Sequence, residues 1–68
     1  MSPYAMAFAV GYYYGRAGGG IGDVTLAEHD IGYKKNQGFL NGLSVGTSDF
    51  LEVDLPAIAL SQSQVDPL

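Results

Sequence analysis

The first fifteen positions of the chain carry no charged side chain, and their aromatic residues follow helical spacing. Tyr4, Phe8 and Tyr12 recur every four residues, which places them on one face of a helix. Ser2 followed by Pro3 is typical of an N-cap and a first helical position. We therefore predict a first helix over residues 3–17. It should end at the three consecutive glycines Gly18-Gly19-Gly20, because glycine readily adopts the left-handed conformation of a C-terminal cap.

A β-strand is the competing interpretation of this segment, because tyrosine, phenylalanine and valine favour sheets. Strict alternation of apolar and polar residues is absent, since Tyr12, Tyr13 and Tyr14 are contiguous. No Asn-Gly or Asp-Gly turn follows to close a hairpin. The pattern therefore favours the helix.

A second helix is predicted from Thr25 to Gly46. The sequence Thr25-Leu26-Ala27-Glu28 has the form of a capping box, in which the threonine hydroxyl and the glutamate each satisfy a free backbone amide. Apolar residues then follow helical spacing as far as Gly46, and they are Leu26, Tyr33, Phe39, Leu40 and Leu43.

Both predicted helices contain a glycine, an aromatic residue, two further residues and a second glycine, and the two copies lie 27 positions apart. Each glycine inside a helix costs about 1 kcal/mol relative to alanine, so a close approach of the two backbones must offset this cost. We predict an all-α fold in which residues 1–46 form a two-helix antiparallel hairpin with a glycine-packed interface. The packing residues are Gly11, Gly15, Gly38 and Gly42.

The remainder of the chain alternates between apolar and acidic residues from Phe50 to Leu55, before Pro56 interrupts the pattern. Alternation of this kind is typical of a half-buried extended segment. We predict an extended acidic and apolar segment over residues 47–60. The polar composition of residues 61–68 indicates a flexible tail.

Composition narrows the classes of partner and site. The net charge of −4 arises entirely from the last twenty residues, which favours a basic or neutral partner and makes nucleic acid unlikely as one. The chain has no cysteine, which excludes disulfides and thiolate metal sites. A hydrophobic fraction of 47% in 68 residues exceeds what one small core can bury, so we expect a homo-oligomer, a dimer or higher, or a covering partner.

The uncharged start of the chain raises the question of a membrane or secretory segment. A signal peptide needs a basic region before its apolar stretch, and a membrane span needs about 20 predominantly apolar residues. The glycines and tyrosines of residues 1–15 meet neither condition. We therefore expect a cytoplasmic chain that has no membrane partner.

Two stretches invite a chemical interpretation. The loop that contains Gly18, Gly19 and Gly20 could hold a small anionic nucleotide on its amides, although it matches no phosphate-binding fingerprint and a flexible connection is the simpler interpretation. Residues 28–30 are the sequence Glu-His-Asp, but consecutive helical residues point about 100° apart and do not converge on one metal ion. We expect no metal, no cofactor and no catalytic residue.

A partner-binding surface is the stronger candidate. Consecutive tyrosines on a helix cannot all face inward, and exposed tyrosine is typical of interfaces, so Tyr13 and Arg16 are predicted to face a partner. The acidic and apolar segment could lie in a basic groove or add to a sheet edge. The residues predicted to bind there are Phe50, Glu52 and Asp54.

The paired glycine motifs resemble a known family. Gly-Tyr-x-x-Gly from Gly11 to Gly15, the aromatic Tyr33, and Gly-Phe-x-x-Gly from Gly38 to Gly42 are similar to ribosome modulation factor, a family of short two-helix bacterial proteins that bind ribosomes. The same paired motif is found in many small phage proteins. The resemblance covers residues 8–46. It implies a helical hairpin and ribosome association, but the chain lacks the many basic residues and the Cys-Pro pair of that family.

The function that we predict from these features is that of a small non-enzymatic interaction protein, phage-encoded, which binds and inhibits a host protein such as a defence or nucleic-acid-processing enzyme. The alternative is a module that sequesters a small signalling nucleotide at the glycine loop. A third possibility is a ribosome-associated factor, as the family resemblance implies.

Overall fold

The computed structural model describes residues 2–19 and 25–65, and all of the regular structure in these ranges is helical. Helix α1 spans Pro3–Tyr14 and continues into a π-helical turn at Gly15–Gly19. A 3₁₀ helix spans Glu28–Lys35. Helix α2 spans Gln37–Asp49 and leads through a second π-helical turn, Phe50–Asp54, into helix α3 at Leu55–Val65. The predicted all-α class is confirmed for the described residues.

Helix α1 begins and ends as its sequence predicts. The Ser2 hydroxyl accepts a hydrogen bond from the Ala5 amide at 3.1 Å, and Pro3 occupies the first turn. At the other end Gly18 has φ of 85°, a left-handed conformation that side chains rarely adopt and that stops the helix.

The prediction of one helix from Thr25 to Gly46 is wrong. The 3₁₀ helix has Ala27 at its N-cap and no side-chain capping bond, so the expected capping box is absent. Asn36 is extended, with φ of −89° and ψ of 132°, and its side chain accepts from the Gly38 amide at 2.8 Å. Asparagine at an N-cap starts a new helix because its carbonyl satisfies a free amide. The capping signal that matters therefore lies at Asn36.

The predicted extended segment over residues 47–60 is also wrong, because this part of the chain is helical. Residues 37–65 form one helical run that is widened at Phe50–Asp54, where the Leu55 amide bonds to the Phe50 carbonyl five residues back. Proline has no amide hydrogen and its ring clashes with the carbonyl four residues earlier, so a widened turn before Pro56 suits it. Residues 61–65, expected in a flexible tail, belong to α3, and residues 66–68 lie outside the described part.

Helices α1 and α2 pack side by side and run parallel. Gly38 lies against the Tyr4 carbonyl, Gly42 against the Phe8 carbonyl, and Gly46 against the Tyr12 carbonyl. The residue numbers rise together in the two helices, so the predicted antiparallel orientation is wrong. The reason is the length of the connection. Because a separate 3₁₀ helix, Glu28–Lys35, precedes α2, the chain can return toward the start of α1 before α2 begins.

The interior of this pair consists largely of backbone. Ala7 and Phe39 are the buried apolar side chains of the described residues, and the glycines of both helices are buried beside them. The molecule is elongated, with extents of 50 × 20 × 19 Å and a radius of gyration of 14.3 Å. A compact domain of this length would have a radius of gyration of about 11 Å. Among the described elements, helix α3 contacts only the π-helical turn before it and so projects beyond the end of α1.

Candidate functional site

All four predicted packing residues lie at the contact between α1 and α2. A Cβ on Gly11 would overlap the Phe39 carbonyl oxygen, and one on Gly15 would lie 2.5 Å from the Leu43 oxygen and 2.6 Å from the Thr47 nitrogen. Gly38 and Gly42 face carbonyl groups of α1 in the same way. Backbone atoms cannot move aside as flexible side chains can, so these positions have no room for a side chain.

A polar network closes the C-terminal end of the pair, and it includes two of the residues predicted to bind a partner. Arg16 donates from Nε and Nη2 to the two carboxylate oxygens of Asp54, both at 2.8 Å. Its Nη1 donates to the Tyr12 hydroxyl at 3.0 Å, and that hydroxyl donates to Asp49 at 2.7 Å. The hydrogen bonds to Asp54 and Tyr12 raise the pKa of Arg16. Arg16 and Asp54 therefore bind each other and fix the π-helical turn against the end of α1.

The glycine loop lies beside the same turn. The Phe50 ring packs over Gly18, where its nearest atom is 3.4 Å from the position that a Cβ would occupy. Phe50, which was expected to face a partner, thus lies against the left-handed end of the first helical segment. Of the residues in the nucleotide alternative, Gly19 ends the π-helical turn and Gly20 lies outside the described residues.

Tyr14 holds the 3₁₀ helix, a role that the sequence analysis missed. Its hydroxyl donates to Asp30 at 2.6 Å and accepts from the Ala27 amide at 3.0 Å. The hydrogen bond to the Asp30 carboxylate raises the pKa of Tyr14. His29 lies 3.5 Å from Asp30 and is 82% exposed. Within the part of the chain that the structure describes, no three acidic or histidine side chains are grouped as a metal site requires.

Tyr13 and Glu52 are both exposed. Tyr13 is 68% exposed and lies on the side of α1 that faces away from α2, with its ring in edge contact with Tyr14 at 5.4 Å between centroids. Glu52 is exposed on the π-helical turn, two residues from the Asp54 that Arg16 binds. Tyr13 therefore faces away from α2, whereas Glu52 lies on the same turn as the Arg16–Asp54 contact.

An exposed apolar surface lies on α3 and the turn before it. Every side chain from residue 55 to residue 61 is exposed, and residues 55–65 contain no charge. We call this surface the α3 surface, and its large apolar members are Leu51, Val53, Leu55, Ile58 and Leu60. Their exposed fractions range from 44% to 65%. The uncharged run was visible in the sequence, but the alternation before Pro56 led to its assignment as an extended segment.

Comparison of the chain with protein-family models, curated proteins and solved structures gave no match. Among the helices of residues 2–19 and 25–65, none is both long enough and apolar enough to cross a lipid bilayer.

Proposed function

We propose that the protein is a small non-enzymatic interaction protein that binds and inhibits a host protein through the α3 surface. The observation that carries this proposal is the projection of α3, an uncharged helix that, within residues 2–19 and 25–65, packs on no helix other than the π-helical turn before it. An apolar helix presented in this way suits a hydrophobic groove on a partner, where residues at spacings of three and four serve as anchors. Leu51, Leu55 and Ile58 have this spacing.

Burial of these side chains would provide the binding free energy. Full burial of a leucine or isoleucine contributes about 1.5–3 kcal/mol, and Leu55 and Ile58 are 44% and 46% exposed, so each has roughly 1 kcal/mol still to gain. The acidic Glu52 lies at the base of the helix. We therefore expect a partner groove that is apolar along its floor and basic at the rim nearest to Glu52.

The rest of the proposal is supported by the composition of the chain and by the resemblance of its paired glycine motifs to small phage proteins. We place its action in the cytoplasm of a bacterial host, with the protein encoded by a phage and self-associated. Neither the nucleotide-binding alternative nor the ribosome-associated one gains a specific contact from the described residues, and the Phe50 ring packs over Gly18. The interaction protein is therefore the function that the geometry supports best.

The test is a pull-down from bacterial lysate with the tagged protein and two matched variants. Ile58→Asp places a charge on the α3 surface, whereas Ser44→Asp places the same charge on the exposed side of α2. We expect the wild type and Ser44→Asp to retain the same host protein and Ile58→Asp to lose it. Equal retention by all three, with unchanged circular dichroism, would show that α3 is not the docking element.

A further inference from the structure

Helix α1 has a second apolar face that α2 does not cover. Met6, Ala9 and Tyr13 are spaced by three and four residues on the side opposite Gly11, and all three are exposed. Met6 is 44% and Tyr13 is 68% exposed. No residue from Pro3 to Tyr14 carries a charge. A helix that is apolar on every side is ordinarily buried on more than one side. The outer face of α1 is therefore an apolar surface that nothing in the described part of the chain buries.

The exposed area of the molecule sets an upper limit on how large this cover can be. The chain exposes 4894 Å². A folded monomer of 7.2 kDa is expected to expose about 4100 Å², which leaves an excess of about 800 Å². The projecting α3 accounts for part of this excess. A dimer through α1 would therefore bury less than about 800 Å² on each copy, which is the small end of specific interfaces.

We propose that the outer face of α1 is a dimer interface between two copies of this chain, packed antiparallel about a two-fold axis between residues 9 and 10. The face is self-complementary about that axis. Ala9, its smallest side chain, lies beside the axis and lets the two helices approach closely. Met6 lies as far before the axis as Tyr13 lies after it, so each Met6 meets Tyr13 of the partner subunit, a favourable contact between sulfur and an aromatic ring.

The distribution of charge favours a second copy over a partner of other chemistry. An uncharged face selects neither a basic nor an acidic partner. Two copies of net charge −4 would repel each other if their acidic ends met, but Asp49 and Asp54 lie at the C-terminal end of α1, where they accept hydrogen bonds from Tyr12 and Arg16. The antiparallel arrangement keeps those ends apart.

The dimer would also give the α3 surface a second role. Helix α3 projects beyond the C-terminal end of α1, so the antiparallel pair carries one α3 at each end. This consequence rests on the proposed function, and it makes the protein bivalent toward a partner that has two or more grooves, which raises avidity without any new contact.

The first test is the mass of the purified full-length protein by light scattering after gel filtration. We expect twice the chain mass of 7.2 kDa for the wild type. Ala9→Glu should shift the mass to that of one chain, because it places two carboxylates at the axis, whereas the matched variant Ser44→Glu should remain dimeric. A wild-type mass of one chain would overturn the proposal. This readout needs no host partner, so it is independent of the pull-down result.

The second test determines the orientation, using the absence of native cysteine. In the antiparallel dimer the two copies of residue 6 lie about 10 Å apart, measured along the helix axes. This separation exceeds the limit of about 7 Å between Cα atoms for a disulfide. Met6→Cys and Tyr13→Cys should therefore cross-link when mixed under mild oxidation and not when either is alone. Equal cross-linking of Met6→Cys alone would contradict the antiparallel arrangement, and this test holds even if Ala9→Glu does not fold.

Discussion

At the scale of single residues, the close backbone contact at the glycines between α1 and α2 can be tested by adding a single Cβ atom. Gly42→Ala would place a Cβ against the Phe8 carbonyl and 2.9 Å from the Tyr12 nitrogen, so the helices must separate. We expect a loss of about 1–3 kcal/mol in the free energy of unfolding, measured by thermal or urea denaturation.

The matched control for Gly42→Ala is Gly32→Ala in the 3₁₀ helix, where a Cβ would meet nothing within 4 Å. We expect that control to be neutral or to stabilise by about 0.4–1 kcal/mol, because alanine restricts the unfolded chain. Equal effects at the two positions would show that close backbone contact does not hold the helices together.

Thr47 is a position where a substitution should stabilise the fold, because it has a buried polar atom with no hydrogen-bond partner among the described residues. Its Oγ1 lies in α2 beside Gly15 and bonds to nothing among the described residues. Thr47→Val keeps the shape of the side chain and removes the unsatisfied hydroxyl, so we expect a gain of about 1 kcal/mol in the free energy of unfolding. Thr47→Ser keeps the hydroxyl and should not stabilise. A loss of stability in Thr47→Val would mean that the hydroxyl has a partner in solution.

At the scale of elements, Tyr14 joins the 3₁₀ helix to α1, and this attachment should depend on pH. The pKa of Tyr14 is raised above its ordinary value of about 10 because the hydroxyl donates to Asp30. A pKa that is higher in the folded state contributes stability below the unfolded value, and that contribution is lost as the pH rises through the folded value. We expect the wild type to lose stability above about pH 10.

Tyr14→Phe isolates this contribution. The variant should be less stable than the wild type at neutral pH, and the difference should shrink as the pH rises above about 10, in thermal melts across that range. The control is Tyr33→Phe, which removes a hydroxyl that makes no hydrogen bond among the described residues and leaves the contact between Tyr14 and Asp30 in place. This control should show no such trend. A difference that stays constant with pH would indicate that Tyr14 acts through packing alone.

The elements also show what the sequence could and could not predict. Helix α1 was predictable because Ser2, Pro3 and Gly18 are local signals that act within a few residues. The start of α2 was not, because the Thr25 capping signal competes with Asn36, and only the tertiary structure decides between them. The parallel orientation depends on this choice, since it sets the length of the connection.

The candidate surfaces also include features that local sequence predicts and features that only the tertiary structure determines. The glycine positions could be identified from their spacing, since close approach needs small residues whatever the orientation of the helices. The pairing of Arg16 with Asp54 joins residues 38 positions apart and depends on the parallel register, so no local pattern indicated it. The exposure of α3 could not be predicted either, because it depends on α1 ending before α3 begins.

At the scale of the whole molecule, the structure divides into a packed part and a projecting part, and the boundary can be tested by truncation. A chain ending at Asp54 keeps the Arg16 network and the Phe50 contact with Gly18 and loses only α3. Because α3 contacts none of the other described elements except the π-helical turn before it, we expect a thermal unfolding midpoint close to that of the full chain.

A chain that ends six residues earlier, at residue 48, is the matched comparison. It also loses Asp49, Phe50 and Asp54, which join α2 to the end of α1, so its unfolding midpoint should fall clearly. Under the proposed function, the chain that ends at Asp54 is folded and no longer retains the host protein. Under the dimer proposal, the same chain remains dimeric through α1. If it instead unfolds, then α3 belongs to the core in solution, and its exposed side chains are part of the fold and not a docking surface.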